Sequence, residues 1–354
     1  MIDRKICVCG PRSKETVTGV ALAFDLLIDG LEKAQVEYRM VDATFRGNTQ
    51  KAGTFSLGRA LETSWVILLV WWNLLYCRIY YATMSTSPVG FVRDYLTVGF
   101  AKLLGRRAVL HLHGGGFEDF YLGQRPCFQR LIRSHLVRVD RIVVLGELLK
   151  EQFYCVGDFV KPKLAVVPNG LTFGVDEPAR LDRRLPESEE KVELLYLSSL
   201  MPSKGYFDVL QAMILLEAIE PGKFQLNLCG SFVDAKTETR LEVYDETTLR
   251  AYIERNGLSD CIEYHGQVLG IEKHEHFEKA HLFLLPTSYP WEGQPLSIIE
   301  ALTYSIPVIS CYHKGIPELI EEGVTGCFVK PMSPQSIVEG VMAITSDPDR
   351  YSTM

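Results

Sequence analysis

Two glutamates, Glu292 and Glu300, stand eight residues apart and follow the apolar run 282–285. Four consecutive apolar residues are typical of a strand that is buried on both faces of a parallel sheet. Prolines and a glycine at 290–295 then interrupt the chain, and helical character resumes at Ser297, so the sequence predicts a strand, a loop and a helix N-terminus. Ligands of open α/β sheets bind at this edge, which makes both carboxylates candidate ligand contacts.

The helical pattern predicts that Glu300 points into the protein. It shares a helical face with Leu296, Ile299 and Thr303. A buried carboxylate is costly unless it accepts hydrogen bonds. Glu300 therefore needs donors, and the hydroxyls of a sugar are suitable ones.

A lysine and a glycine, Lys204 and Gly205, lie between a predicted strand at 193–198 and a predicted helix at 206–219. Free backbone amides, the helix dipole and an ammonium all favour an anion at such a position, so the pattern indicates a phosphate site. A solvated loop lysine produces the same pattern. The interpretation therefore depends on the neighbouring motifs.

Two histidines and three glycines close another predicted strand, at 108–113. His111 and His113 share a face of that strand because side chains alternate, and the glycines at 114–116 let a ligand approach the backbone. Either histidine could instead be a core residue with a satisfied hydrogen bond. The spacing would also suit a metal pair, but the sequence shows no third ligand.

A glycine turn at Gly19 opens the first predicted helix and suits contact between a substrate and backbone amides. The pattern is not GxGxxG, which argues against a dinucleotide site. Arg12 and Lys14 in the same loop have two interpretations, contact with an anionic acceptor or a solvated loop. The loop at 313–318, ahead of a helix predicted at Glu318, is expected to offer backbone contacts.

Composition excludes some classes of protein. The net charge of −7 and the pI near 5.7 argue against a nucleic-acid-binding protein, which would usually carry a basic field. Nine cysteines without paired spacing indicate neither disulfides nor a zinc site, and no signal peptide opens the chain. These features predict a reducing, cytosolic compartment.

One stretch, 65–77, resembles a membrane segment but falls short of the roughly 20 residues needed to span a bilayer. It has two interpretations. It is a buried helix packed against a sheet, or an interfacial helix anchored by Trp71 and Trp72.

Apolar strands alternate with helical stretches in both halves, which is the pattern of doubly wound parallel sheets. A charged, proline-containing stretch at 173–190 predicts an exposed linker between domains 1–172 and 191–354. The fold class is therefore α/β, with two Rossmann-like domains that are expected to face each other across a cleft. Strands are predicted at 5–9, 38–41, 78–83, 108–113, 141–145, 163–167, 193–198, 225–228, 262–264, 281–285, 307–310 and 327–329.

The combined motifs resemble glycosyltransferase family 4. The resemblance covers most of the second half in order and spacing, and the stretch 110–115 resembles bacterial members that build surface polysaccharides. It implies a GT-B fold with the active site in the interdomain cleft, an acceptor-side N-terminal domain and a nucleotide-sugar-binding C-terminal domain. It also implies transfer of a sugar with retention at the anomeric carbon, without a metal or another cofactor.

The resemblance also implies roles for individual residues. Glu292 would contact the donor sugar, Lys204 would neutralise the diphosphate of a UDP- or GDP-linked donor, and His113 would reach the sugar or acceptor; these three are the candidate catalytic residues. Glu300 would take the ribose hydroxyls. The other candidate donor-binding residues are Ser199, Gly205, Gly293, Gln294, Pro295 and Leu296, and the acceptor-side candidates are Gly19, Gly114 and Gly115.

The sequence departs from the family at two places. Many relatives carry an arginine where this chain has Ser199, which leaves Lys204 as the predicted cation on the diphosphate. The residues 347–354 stand where relatives usually continue into a helix that crosses back to the first domain, and that helix is not found in this sequence. Either the sequence is truncated or the domains close differently.

The leading hypothesis is a retaining hexosyltransferase that acts on a glycan or lipid-linked oligosaccharide in bacterial cell-surface polysaccharide synthesis. It would work in the cytoplasm, in peripheral contact with the inner face of the membrane and without a nucleic-acid partner. Two alternatives stay open: a GT-B epimerase or phosphorylase, and a non-catalytic sugar-nucleotide-binding protein on a degenerate scaffold. The sequence does not indicate an oligomeric state.

Overall fold

The computed structural model describes residues 5–13, 18–44, 57–171, 183–186, 190–233 and 242–354. The chain divides into two compact units, Met1–Thr172 (unit 1) and Phe173–Met354 (unit 2). Each unit is built on one parallel sheet of six strands.

The sheet of unit 1 has the strand order β2-β1-β3-β4-β5-β6. All of its pairings are parallel, so every connection is a crossover. The sequence predicted each strand to within two residues at either end. The strands are β1 Ile6–Gly10, β2 Tyr38–Asp42, β3 Ile79–Thr83, β4 Arg107–His111, β5 Arg141–Val144 and β6 Leu164–Val166.

Helices cover both faces of this sheet. One face carries α1, whose Phe24 and Ile28 pack on Val8 of β1. The other face carries the larger core, in which helices α2 to α5 pack on Tyr80, Leu110 and their neighbours. The helices are α1 Gly19–Lys33, α2 Leu57–Leu74, α3 Pro88–Leu103, α4 Phe117–Leu122 and α5 Pro126–Arg138.

The tryptophan-rich helix α2 is buried on one side only. Its residues Val70 and Leu74 are fully buried in the core of unit 1. Trp71 turns toward α3, where it stacks on Phe100 at a ring distance of 5.0 Å. Trp72 points outward and is 60% exposed. The two tryptophans named as membrane anchors therefore have different environments, and only Trp72 is available to a surface. Among the described residues, no helix is long and apolar enough to cross a membrane.

The sheet of unit 2 has the order β12-β11-β10-β7-β8-β9. The four residues of β10 are all buried, as the apolar run predicted. The strands are β7 Val192–Leu197, β8 Phe224–Cys229, β9 Ile262–Gly266, β10 Leu282–Leu285, β11 Val308–Cys311 and β12 Gly326–Val329, and the helices are α6 Tyr206–Ile219, α7 Glu246–Arg255, α8 Gly270–Lys279, α9 Leu296–Thr303, α10 Pro334–Thr345 and α11 Pro348–Ser352.

One expectation about unit 2 is wrong, and another holds for only some of the described residues. The helix predicted at Glu318 is a single 3-10 turn, Ile316–Glu318, because the chain must turn back into β12. The stretch 173–190 was expected to be exposed. Arg184 and Glu190 are exposed, whereas Arg183 donates hydrogen bonds to four backbone carbonyls and Leu185 packs on the core of unit 2. Most of the remaining linker residues lie outside the described ranges.

All nine cysteines lie in the described ranges and are free thiols. Cys127, near the start of α5, is the exposed one. Burial raises the pKa of seven of the other eight thiols, for instance to about 11 for Cys9 and about 12 for Cys229.

Candidate functional site

The loop that follows β10 holds the first predicted carboxylate in a fixed position. Glu292 is 6% exposed. Its Oε2 accepts a hydrogen bond from the Thr287 hydroxyl at 3.0 Å and lies 2.6 Å from the Lys204 ammonium. The backbone amide of Ser288 donates to the Ser203 carbonyl at 2.8 Å, which ties this loop to the loop that carries the lysine. Two loops at the same edge of the sheet therefore bring a lysine and a glutamate together.

Lys204 is placed by a tight turn that requires glycine. It ends the 3-10 turn Pro202–Lys204, and the next residue, Gly205, has φ +79° and begins α6. A Cβ at Gly205 would stand 2.5 Å from the carbonyl oxygen of Pro286. The Lys204 ammonium also lies 4.8 Å from the centre of the Tyr289 ring, which favours a cation. The predicted phosphate ligand is thus held at the N-terminus of α6.

The pairing of Lys204 with Glu292 is a feature that the sequence did not reveal. Their side chains are 14% and 7% exposed, so each charge is largely removed from water and is compensated by the other. An anion at the N-terminus of α6 would compete with Glu292 for the ammonium.

The second predicted carboxylate, Glu300, is 1% exposed, as the helical pattern predicted. It lies in the second turn of α9, and its Oε2 is 2.6 Å from the ammonium of Lys273 on α8. The sequence analysis missed Lys273. Its partner lies 27 positions further along the chain, and the exposed helix pattern of 270–279 gives no sign that one of its lysines turns inward.

Unit 1 holds the predicted histidines at the end of β4. His111 and His113 share a face, with ring centres 3.9 Å apart. Tyr81 on β3 hydrogen-bonds to Nδ1 of His111 at 2.5 Å, and His111 Nε2 has no hydrogen-bond partner in the part of the chain that the structure describes. Burial lowers the pKa of His111 to about 3, with a contribution from His113, and lowers the pKa of His113 to about 4. Both imidazoles are therefore neutral at pH 7.

Metal binding was the alternative for this histidine pair. Across the described ranges, no group of three or more histidine, cysteine, aspartate or glutamate side chains is placed to hold a metal ion.

The glycine loop after β4 is braced by Gln152, a residue that the sequence analysis missed. Its side chain donates to the Gly114 carbonyl at 3.2 Å and accepts from the Phe117 amide at 2.9 Å. Gly115 in the same loop is buried. Nothing in the local sequence links Gln152 to this loop, because the contact joins residues 35 or more positions apart.

The remaining acceptor-side candidates lie at the start of α1. Gly19 is the first residue of that helix, and the Thr18 side chain caps it by accepting from the Ala21 amide. Arg12 is half-buried and ion-paired with Asp25, so an anion would compete with that carboxylate. Lys14 lies outside the described residues.

The other donor-side candidates fall around Glu292. Gly293, Gln294 and Pro295 are buried, and Leu296 begins α9. Ser199 lies exposed after β7. These positions are consistent with a ligand edge, and the role of each residue stays a prediction.

Comparison with known proteins identifies unit 2. The family described as glycosyl transferases group 1 matches residues 179–354. The C-terminal half of the chain belongs to this family. The match covers Lys204, Glu292 and Glu300, together with Lys273.

Relatives of this glycosyl transferase group include AmsK of Erwinia amylovora, named an amylovoran biosynthesis glycosyltransferase, which is 26% identical over 48% of this chain and 39% of its own length. WcaL of Salmonella typhimurium, named for colanic acid biosynthesis, is 38% identical over 26% of this chain and 24% of its own length. The chain thus spans well under half of the length of these two relatives.

Solved glycosyl transferase structures share the fold. Anabaena HepE in complex with UDP matches with a TM-score of 0.68 at 16% identity, covering 99% of this chain and 92% of that one. Sucrose-phosphate synthase from Thermosynechococcus elongatus matches with a TM-score of 0.66 at 17% identity, covering 99% and 92%. The α/β GT-B fold predicted from the sequence is confirmed.

Proposed function

We propose that this chain is a retaining glycosyltransferase that moves a hexose from a UDP- or GDP-linked donor to a hydroxyl of a glycan or lipid-linked acceptor. The observation that carries the proposal is the Lys204–Glu292 pair at the N-terminus of α6. A lysine and a helix N-terminus suit a diphosphate, and a carboxylate beside them suits the hydroxyls of the attached sugar.

Binding of the donor would exchange the partners of Lys204. The ammonium would leave Glu292 for the diphosphate, and the freed carboxylate would accept hydrogen bonds from sugar hydroxyls. Negative charge grows on the phosphate as the glycosidic bond breaks, so a fixed cation there stabilises the transition state more than the ground state. A phosphate oxygen would accept the proton of the attacking hydroxyl, and the reaction needs neither a metal nor another cofactor.

His113 would act as a neutral hydrogen-bonding group. Burial lowers its pKa to about 4, so at pH 7 it offers one donor and one acceptor to a sugar and no charge to a phosphate. This suits contact with a neutral hydroxyl of the sugar or acceptor.

A binding screen tests the donor site. The chain and its Glu300→Ala variant are titrated calorimetrically with UDP, GDP and ADP and with their common sugar conjugates. UDP is the first choice because HepE is described in complex with UDP and with UDP-glucose. We expect one nucleotide family to bind the wild type and to lose at least tenfold in affinity in the variant. A folded wild type that binds none of them would contradict the proposal and favour a binding-incompetent scaffold.

An activity assay separates transfer from the alternatives. Release of the free nucleotide only when an acceptor is present indicates transfer, whereas a GT-B epimerase acts without acceptor. We expect Lys204→Met to lower kcat at least a hundredfold, as loss of one electrostatic contact to the transition state commonly does. The rate should be unchanged by EDTA, and a rate that collapses with EDTA would contradict metal-independent transfer.

The relatives suggest the pathway. AmsK and WcaL carry names from exopolysaccharide synthesis, so we place this chain in bacterial cell-surface polysaccharide synthesis, on the cytoplasmic side of the membrane. Contact with that membrane would use the outer face of α2 and α3. This face is defined by its exposed apolar residues Leu61, Trp65, Leu68, Trp72, Val89, Val92, Leu96 and Leu103.

Positive charge borders this apolar face and favours an anionic lipid surface as its partner. Arg78 and Arg107 are exposed at the starts of β3 and β4, next to the C-terminal ends of α2 and α3. Leu103 at that end is 80% exposed. An apolar face with tryptophans and a basic border is typical of interfacial binding.

Vesicle flotation tests the membrane contact. We expect Trp65→Ser/Trp72→Ser to lose binding to vesicles that contain phosphatidylglycerol without losing its fold. Trp291→Ser, which removes an exposed tryptophan of unit 2, is the matched control and should bind as the wild type does. Equal binding of all three proteins would exclude this face as the contact.

A further inference from the structure

Lys273 is a buried lysine on α8, a helix whose other fully buried residue is the apolar Phe277. It is 9% exposed, whereas Ile271 and Lys279 on the same helix face solvent. Lysine is almost never this buried unless its charge is paired. The packing of α8 alone therefore does not explain why this lysine is buried.

The reason lies in its partner. The Lys273 ammonium is 2.6 Å from Oε2 of Glu300, and the two side chains are 11% and 2% exposed. A pair this buried contributes little net stability, because desolvation offsets most of the attraction. Such a pair does fix the position and the charge of each partner.

Neighbouring contacts keep α8 and α9 in register, so the pair is not a chance encounter of two flexible side chains. Phe277 of α8 stacks on Tyr304 with ring centres 5.3 Å apart and planes within 13°. Arg183 donates to the carbonyls of Ala280 and Tyr304, at the ends of the two helices. These contacts, at the C-terminal ends of both helices, hold α8 and α9 in the register that places the lysine against the glutamate.

We infer that Lys273 is a positioning residue of the donor site: it orients the Glu300 carboxylate so that it can accept hydrogen bonds from the ribose hydroxyls of the nucleotide. The inference rests on the proposed function and on the ribose contact that the family resemblance implies for Glu300. α8 begins directly after β9 and α9 follows β10, so both residues lie near the carboxyl ends of parallel strands, where ligands of such sheets bind.

The test compares two ligands that differ only in the groups that Glu300 would contact. UDP and 2′,3′-dideoxy-UDP are titrated against the wild type, Lys273→Met and Lys279→Met, with GDP and 2′,3′-dideoxy-GDP substituted if the donor screen shows guanine specificity. We expect the wild type to prefer the ribose form at least tenfold. Lys273→Met should lose that preference while binding the dideoxy form within about twofold of the wild type, and Lys279→Met should behave as the wild type.

A double-mutant cycle covers the case in which Lys273→Met leaves Glu300 without its counter-charge and folds poorly. Lys273→Met is combined with Glu300→Gln, so that neither partner carries a charge in the double variant. If Lys273 acts through Glu300, the second change alters UDP affinity less than twofold. Lys273→Arg, which keeps the charge, should retain part of the ribose preference.

Three outcomes would overturn the inference. An equal loss of both ligands in Lys273→Met indicates a purely structural role. A further tenfold loss in the Glu300→Gln background indicates that Lys273 contacts the diphosphate itself. If the wild type binds UDP and its dideoxy form equally tightly, Glu300 does not contact the ribose, although a donor site exists. If the wild type binds no nucleoside diphosphate, the proposed function is overturned as well.

Discussion

Gly205 shows how one residue fixes the geometry of the candidate site. It combines φ +79° with a Cβ position only 2.5 Å from a backbone oxygen of Pro286. The left-handed backbone and the close approach both exclude a side chain, and together they hold the Lys204 turn against the loop that carries Glu292.

We expect Gly205→Ala to lower the free energy of unfolding by about 2–4 kcal/mol, because the strained backbone and the overlap add together. Gly222→Ala is the matched control. Its φ is +74°, but nothing lies within 4 Å of its Cβ position, so it should cost only about 1 kcal/mol. Urea denaturation measures the free energy of unfolding of both variants. If Gly205→Ala and Gly222→Ala lose the same amount of stability, the contact with Pro286 relaxes without cost.

At the scale of secondary-structure elements, one arginine side chain, Arg183, links the C-terminal ends of α8 and α9. The Arg183 guanidinium donates to the carbonyls of Phe277, Glu278, Ala280 and Tyr304 at 2.5 to 3.1 Å. These carbonyls lie at helix C-termini, where backbone acceptors lack partners within the helix and a positive charge is favourable. One side chain from the segment before β7 therefore holds the two helices that carry Lys273 and Glu300.

Removing this clamp should affect stability and donor use together. We expect Arg183→Met to cost about 2–4 kcal/mol, since several acceptors lose a charged donor, and to raise KM for the donor more than it lowers kcat. The exposed neighbour Arg184 provides the control, and Arg184→Met should leave both quantities unchanged. Thermal unfolding measures the loss of stability, and initial rates measure KM and kcat. If Arg183→Met is destabilised but its KM for the donor is unchanged, the Arg183 contacts do not influence donor binding.

The sequence predicted the elements well because their signals are local. Apolar runs such as 282–285 marked the strands of both sheets, and the pattern around Glu300 predicted its burial correctly. The partners of the charged residues were not predictable in this way. Lys273 and Arg183 act on groups far along the chain, and α2 is apolar on so many sides that its sequence could not show which of Trp71 and Trp72 faces the core.

At the scale of the whole molecule, buried histidines are unevenly distributed. Burial lowers the pKa of His111 to about 3, and lowers those of His113 and His135 to about 4; these three lie in unit 1. In unit 2, burial lowers the pKa of His281 to about 4 and also lowers the pKa of His276. Unit 1 therefore holds more imidazoles that resist protonation while the unit is folded.

We expect unit 1 to lose stability first in acid. An unfolded histidine titrates near pH 6.5, so between about pH 6.5 and 4 the unfolded state binds protons that the folded state does not. The stabilisation from each such histidine is fully present above pH 6.5. As the pH falls below 6.5, the free energy of unfolding decreases by roughly 1.4 kcal/mol per pH unit for each histidine. Tryptophan fluorescence during urea unfolding reports mainly on unit 1, which contains three of the four tryptophans, Trp65, Trp71 and Trp72.

His135→Leu tests the origin of this pH dependence. His135 packs against Phe91 and takes no part in the candidate site. Its loss should reduce the slope of stability against pH by about one proton between pH 6.5 and 4. A slope that stays the same would assign the acid sensitivity to other groups.

The distribution of thiols gives the protein a ready-made place for a spectroscopic label. Eight of its nine cysteines are wholly or partly buried, and burial raises the pKa of seven of these, so few of the seven are thiolates at neutral pH. Cys127 alone is exposed, at the start of α5. A maleimide dye added to the unaltered chain should therefore attach at one known position in unit 1, which would let fluorescence follow vesicle binding and acid unfolding without any engineered cysteine.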